Sequence, residues 1–537
     1  MELLKDSAQI IGFSEVLKRL KVMTAYGKDE KNAMSPFTAD RLAEHRQNDD
    51  TIESFVREIV KDRTYFKILR VAFEHLKDLR GSIKNIENQV TLTQVELYEL
   101  KFFLLQVKRL TDRYQLFFNR LENDLRLTFP LSIYQKLDPT LDYYETFHID
   151  DNFSEALKAV RMKIRALENE MRKMKGQIAK GIVSDYPALR FRPNGTVVVR
   201  KEESGNYQAL LNDKRLLVSE QHYNFVTFSI VLSDEILACD NQLETLRSQE
   251  EDALYDIREK ITGALQEDTD RLRQIFATIG KIDFYLAKAS LAVAMQAVRP
   301  KMTVDGHLII EEGRHAIVES LLSAKKQTYT PVSIQLDKNV TLITGANMGG
   351  KTISLKMVGL IVAMANYGLF VPAKSAVIPY YRFINAIIGD EQNAAKGLST
   401  FGAEMVEIID ALAASDKRGL VLIDELASGT NPAEGWALSD SILEEFCQKR
   451  SDVVVTTHYD GLGKAVDIRH LQVIGLKNLP ETIDKNQVSK TLAEGMDYRL
   501  ESVEKDSIVP KDAIKIAAGL GLASEIISRA KCKMEKS

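Results

Sequence analysis

Residues 345–352 read GANMGGKT, which satisfies the spacing G-x-x-x-x-G-K-[ST]. They follow an apolar run, NVTLIT, and precede a helix-forming one, ISLKMVGLIVAMA. A strand, a glycine loop and a helix in that order are the context in which such a spacing cradles phosphate. Gly345, Ala346, Asn347, Met348, Gly349, Gly350, Lys351 and Thr352 are therefore expected to hold a nucleotide. Gly345 and Gly350 let the backbone wrap so that its N–H groups face the phosphates. The start of the following helix adds its positive end. Lys351 is expected to reach the β- and γ-phosphates, and Thr352 to offer its hydroxyl to Mg²⁺.

A second run, RGLVLIDELASG (418–429), is an apolar strand that ends in two carboxylates, Asp424 and Glu425. Alone it also describes an acidic turn after a buried strand. With the glycine loop upstream, Asp424 reads as the other half of the Mg²⁺ site, and Glu425 as the group that orients or deprotonates an attacking water. A third run, DVVVTTHY (452–459), brings His458 to a strand end. A lone histidine has no meaning by itself. Beside the carboxylate strand it is expected to sense the γ-phosphate.

These residues need a frame. From about residue 306, short β-rich runs such as VSIQLDKNVTLITG and AVIPYYRFINAIIG alternate with helical patterns, which predicts an α/β domain over 301–500 with a largely parallel sheet. Residues 1–150 have helical periodicity, with segments ending at Gly27 and Gly81, and no unit recurs every 20 to 50 residues as a solenoid requires. Between 151 and 300, Leu157, Val160, Ile164, Leu167, Met171, Met174 and Ile178 form a 3-4 seam, the pattern of a coiled coil. Leu243, Leu246, Ala253, Ile257, Ile261 and Ala264 keep a similar spacing further on. Two long helices around a strand-rich tip at about 186–232 describe an antiparallel arm with a head. The same residues also suit two bundle helices flanking a loop. Helices are expected again over 501–537.

At 537 residues the chain is expected to hold two to four domains. Its 45% hydrophobic and 28% charged residues are ordinary for a soluble globular protein. A net charge of −4 means that any nucleic-acid contact must rest on a local patch. Cys239, Cys447 and Cys532 have no metal-ligand spacing and suit a reducing compartment. The start, MELLKDSAQIIGF, lacks the apolar stretch of a signal peptide. The longest apolar run, 357–371, is interrupted by Asn366 and falls short of the ~20 residues of a membrane span. It is expected to be a buried helix, and the chain to be cytoplasmic.

Four motifs in this order, NMGGKT, STFGAEM (399–405), LVLIDELASGTNPAEG (420–435) and TTHYDGL (456–462), resemble the MutS family of ABC-like ATPases. EGRHAIVE (312–319), MANYGLFVPA (364–373) and AAGLGLASEIISRAK (517–531) extend the resemblance. It covers about the last 230 residues strongly and the helical half more loosely. The fold it implies is multidomain: an all-α core, long antiparallel lever helices with a small β-containing tip, then an ABC-like α/β P-loop ATPase domain and C-terminal dimerising helices. It also implies ATP and Mg²⁺ as cofactors and a homodimer that shares each nucleotide across its interface. By similarity, Asn347 helps place nucleotide or water, while Ser399 and Thr400 reach the γ-phosphate held by the other subunit.

The sequence departs from the family in two places. It begins directly with helices resembling the core domain, so the mispair-reading and connector domains are not expected. SGTNPAEG and GGKT resemble the MutS2 branch, yet the chain stops at Ser537, before the nuclease domain usual there. Two functions stay open. One is an ATPase that moves a clamp on DNA. The other is an ATP-dependent reactivating factor whose protein client is a cobalamin-dependent lysine or ornithine aminomutase. The tip, with Arg190, Arg192, Arg200, Lys201, Lys214 and Arg215 against Glu202, Glu203, Asp213 and Glu220, suits a DNA-backbone contact or a solvated hairpin equally.

Overall fold

The structure, a computed structural model, describes residues 7–192, 194–201, 207–345, 350–389, 400–476, 495–503, 514, 517–518 and 522–534. The chain forms two compact units, each discontinuous in sequence. One holds Leu76–Phe118 and Leu127–Phe276; the other holds Met1–His75, Asn119–Arg126 and Ala277–Ser537.

The first unit contains helices Glu155–Asp185 and Asp234–Leu265, of 31 and 32 residues. Each begins after a serine whose side chain accepts a first-turn N–H, Ser154 from Leu157 and Ser233 from Ile236, which satisfies one of the donors a helix start leaves open. The pairs Arg161–Glu250 (2.7 Å) and Arg247–Glu168 (3.3 Å) show that the helices run antiparallel. Leu157 and Ile164 are buried, whereas Val160, Leu167, Met171, Met174 and Ile178 are half-buried. Two helices enclose a seam from only two sides. Along the return helix Leu243, Ile257 and Ile261 are buried, but Ala264 is exposed and Leu265 takes the inward place. There the covering neighbour changes, since Thr262 is buried and its Oγ1 accepts the Leu92 N–H at 3.1 Å.

Three strands join the two helices: β1 (Thr196–Arg200), β2 (Leu216–Gln221) and β3 (Phe225–Ile230), antiparallel in the order β1-β3-β2. Alternate residues Val197, Val199, Val226, Phe228 and Ile230 pack on Ile182, as a period of two requires. The opposite face leaves Val198, Leu217 and Phe225 exposed, and Tyr223 stands out at the hairpin end. Among the tip cations, Arg215 is already paired with Asp185 and Asp213, at 2.7 Å each.

The second unit carries β4 (Lys301–Thr303), β5 (Leu308–Gly313), β6 (Val332–Leu336), β7 (Val340–Thr344), β8 (Ser375–Pro379), β9 (Ile384–Ile387), β10 (Leu420–Ile423), β11 (Asp452–Thr456), β12 (Arg469–Leu476) and β13 (Met496–Ser502). One sheet has the order β13-β12-β7-β11-β10-β9, parallel except for β13; the other has the order β4-β8-β5-β6. Leu420 and Leu422 of β10 face the helix Lys351–Asn366, while Val421 and Ile423 face the opposite way, into the cluster of Ile408, Leu443 and Phe446. Coverage on both faces explains why β7, β10 and β11 are apolar without alternation.

The helix Lys351–Asn366 is buried at nearly every position and shares one apolar cluster with both sheets. The expected buried helix is therefore present, and it ends at the residue that interrupts the apolar run. Asn366 is itself buried: its side-chain Nδ2 donates to Val362 O at 2.9 Å, and its backbone carbonyl accepts the Phe37 N–H at 2.7 Å. No helix among the described residues is long and apolar enough to cross a membrane.

Candidate active site

Three neighbouring strand ends build the site. In β7, β11 and β10, Ile343 is level with Thr456 and Val455 with Ile423, so the residues after each strand emerge along one edge of the sheet. After β7 the chain passes through Gly345 at φ 141°, and Gly350 at φ 79° caps the helix Lys351–Asn366. These values favour glycine. Space requires it too: a Cβ on Gly345 would lie 3.0 Å from Val473 Cβ, and one on Gly350 2.9 Å from the Tyr498 ring.

Ala346, Asn347, Met348, Gly349 and Ser399 lie outside the described residues. Thr400 opens the helix Thr400–Ala414.

The Lys351 side chain is buried. Its Nζ donates to Gly345 O at 2.8 Å and lies 3.3 Å from Nε2 of His458. Burial pulls its ammonium below the usual lysine range, and the carboxylates of Glu425 and Asp424 oppose that shift. Thr352 Oγ1 donates to Asp424 Oδ2 at 2.7 Å, and Thr456 Oγ1 donates to Asp424 Oδ1 at 2.6 Å. Asp424 is thus gripped on both oxygens.

Its neighbour points elsewhere. Glu425 and Ala427 both have φ 53°, left-handed values for non-glycine residues that cost about 1–2 kcal/mol each. Three N–H bonds hold this turn: Glu425 to Thr456 Oγ1 (2.9 Å), Leu426 to Thr456 O (3.4 Å) and Ala427 to Glu404 Oε1 (2.9 Å). The turn carries the Glu425 carboxylate to His458, with Oε1 2.9 Å from Nε2. One ring nitrogen cannot donate to a carboxylate and accept from an ammonium at once. The shorter contact therefore assigns its hydrogen to Glu425.

Next to the two carboxylates is a cavity of about 230 Å³, lined also by Phe401, Glu404, Glu407 and Ser428. Burial raises the Glu404 carboxyl above its usual range, against the pull of the Ala427 N–H.

The donors fit a hard cation. A hydroxyl and a carboxylate oxygen 2.7 Å apart suit Mg²⁺, which takes one or two protein oxygens and fills its octahedron with water and phosphate.

The structure brings together Lys351, Thr352, Asp424, Glu425 and His458. It adds two residues from within the same motifs whose part emerges only in the fold. Thr456 ties both carboxylate residues to β11, and Glu404 closes their turn. Thr344 and His470 form a further pair, Oγ1 to Nε2 at 2.8 Å. His470 lies on β12 and Tyr498 on β13, and no local pattern announced either.

Comparison with known proteins covers the same region and more. A family model described as MutS domain V matches residues 341–536. The chain is 27% identical over 540 residues to an endonuclease MutS2 of Lactobacillus helveticus (strain DPC 4571), covering 97% of this chain and 64% of that protein. It is 29% identical over 527 residues to the endonuclease MutS2 of Latilactobacillus sakei subsp. sakei (strain 23K), with 95% and 62% covered. A third, from Geobacillus sp. (strain WCH70), is 32% identical over 389 residues, or 71% of this chain and 46% of that one. The chain thus spans between 46% and 64% of the length of these curated relatives.

Proposed function

We propose that this chain, a member of the MutS family, binds ATP with Mg²⁺ at the ends of β7, β10 and β11, hydrolyses it, and uses the cycle to move a clamp on DNA. The observation that carries the reading is the division of labour between adjacent carboxylates. Asp424 is held between Thr352 and Thr456, while Glu425 is turned to His458.

Mg²⁺, when bound with ATP, neutralises charge that builds on the transferring phosphoryl group. Thr352 and Asp424 would hold it. Lys351 presents a buried ammonium beside the loop, which suits a phosphate partner. The Gly350-capped helix adds the positive end of its dipole. Glu425, with one oxygen fixed by His458, keeps the other to accept a proton from an attacking water. His458 lies between Glu425 and Lys351, which suits a γ-phosphate sensor.

Family resemblance supplies the remainder of the proposal. Asn347 would help place nucleotide or water, and Ser399 and Thr400 of one copy would serve the loop of another, so the working form is a homodimer. DNA is the favoured client, because the relatives named above bear the name of an endonuclease. The exposed Tyr223, next to the Asn224 carbonyl that accepts the Lys201 N–H, suits a backbone contact with base stacking.

Steady-state ATP hydrolysis with duplex, mismatched and branched DNA at low and moderate salt tests this reading. A several-fold change that weakens as salt rises is expected. Hydrolysis that ignores all three DNAs would leave an ATPase without a DNA client, and a cobalamin-dependent aminomutase would be the next client to add.

A further inference from the structure

In the second unit a cavity of about 560 Å³ lies against the helix Phe13–Arg19, the C-terminal part of the helix Thr269–Ala294 and the helix Ala316–Ala324. It shares no residue with the nucleotide site. Its floor is apolar, with Ala287, Leu291, Met295 and Ala316 all buried. Its rim is cationic: Arg19, Lys21, Arg70 and Arg314 face a single carboxylate, Glu319.

That carboxylate is already engaged. Both Glu319 oxygens accept from Arg314 Nη1, at 2.9 and 2.8 Å, and Arg314 Nη2 donates to Met295 O and Gln296 O. Arg314 and Glu319 form a closed brace. Arg19 donates to Ser320 Oγ at 2.8 Å, and Arg70 makes a long bond of 3.3 Å to Lys21 O. Among the described residues no carboxylate forms an ion pair with Arg19, Lys21 or Arg70. Arg70 feels the buried Asp283, but that carboxylate is committed to the N–H groups of Met23 and Thr24 and to the Thr24 hydroxyl. Three cations thus line a concave, partly apolar space where an anion could be met by all three.

We infer that this cavity is a binding site for a small phosphate ester of nucleotide size, its phosphate held by Arg19, Lys21 and Arg70 and its organic body on the apolar floor. Guanidinium groups grip phosphate in bidentate fashion, and the hydroxyls of Ser290 and Ser323 add neutral donors, that of Ser320 already donating to Ala316 O at 2.7 Å. The volume is within the range of small-molecule sites and far exceeds what inorganic phosphate fills. A duplex backbone is the weaker match, because it is met by cations on an open surface and has no use for a recessed apolar floor.

Calorimetric titration of the full-length chain with AMP and with inorganic pyrophosphate tests the inference, in a Lys351→Ala background that removes the glycine-loop site. AMP is expected to bind in that background more tightly than pyrophosphate, and roughly tenfold or more weakly after Arg19→Glu with Arg70→Glu. The paired variant Arg19→Gln with Arg70→Gln keeps side-chain length while removing charge, so a folding defect in the first pair leaves the test intact. No AMP binding in the Lys351→Ala background, or unchanged binding in the Gln pair, overturns the site. Pyrophosphate binding as tightly as AMP overturns the role of the floor. Displacement of AMP by a short duplex overturns the small-molecule reading in favour of a nucleic-acid backbone.

Discussion

Thr456→Val isolates the feature that makes the two carboxylates differ. The side chain is fully buried, and valine nearly matches its shape while lacking the hydroxyl. That hydroxyl donates to Asp424 Oδ1 at 2.6 Å and accepts the Glu425 N–H at 2.9 Å. Loss of a hydrogen bond to a charged acceptor costs about 1.5–3 kcal/mol, and an unpaired backbone N–H adds about 1 kcal/mol where water reaches part of the turn. The expected destabilisation is therefore roughly 2.5–4 kcal/mol. The single tryptophan, Trp436, reports on this unit, since its Nε1 donates to Asp460 O at 3.0 Å just beyond β11. Urea unfolding followed by Trp436 fluorescence reads the stability, and hydrolysis at saturating Mg²⁺ and ATP reads the chemistry. Turnover should fall, because Asp424 loses one of its two anchors and the Glu425 turn loses its first. Thr456→Ser keeps both bonds and loses one methyl, about 1 kcal/mol, with turnover near that of the parent. If the Val and Ser variants behave alike, or Val shifts stability by less than about 0.5 kcal/mol with normal turnover, the hydroxyl does not organise this site.

Lys351→Ala should abolish tight ATP binding, and retention of a non-hydrolysable ATP analogue by that variant would remove Lys351 from the phosphate site. Glu425→Gln should keep binding while lowering turnover roughly 100-fold or more. In light scattering it should hold an ATP-bound dimer, and wild-type turnover would contradict the role assigned to Glu425. Lys288→Met addresses a buried ammonium away from the site. Its Nζ donates to Asn48 Oδ1 at 2.8 Å and lies 4.5 Å from the Phe284 ring centre. Burial pulls its pKa down to about 7, against the opposing charges of Asp49 and Glu30. Between about pH 7 and 10.5 the unfolded chain binds a proton there that the folded chain does not, so stability should rise with pH, by up to ~1.4 kcal/mol per unit. Asp49, raised to about 6, and His45, lowered to about 4, titrate below that window. Lys288→Met should flatten the rise, and an unchanged slope would place its origin elsewhere.

Much of the framework was legible because it depends on local chemistry. Short β-rich runs alternating with helical patterns announced a largely parallel sheet, and the apolar run after the glycine loop announced a buried helix. The chemistry-bearing residues Lys351, Thr352, Asp424, Glu425 and His458 stood out because each occupies a strand end or helix start that a short pattern identifies.

What the sequence could not determine depends on neighbours distant along the chain. Thr456 resembles any threonine in a β-branched run until strand order sets β11 beside β10 and brings its hydroxyl to Asp424. Glu404 is one acid among several until the helix Thr400–Ala414 packs under the left-handed turn at Ala427. The inward residue near the end of the return helix is Leu265 rather than Ala264, because the segment at Leu92 covers a side that helical period alone does not specify. Likewise, Arg215 counts as a tip cation until the fold sets Asp185 and Asp213 against it. Residue type and short-range period determined which groups were available for chemistry. Strand order and packing, which bring residues far apart in the chain to hydrogen-bonding distance, decided which of them act together.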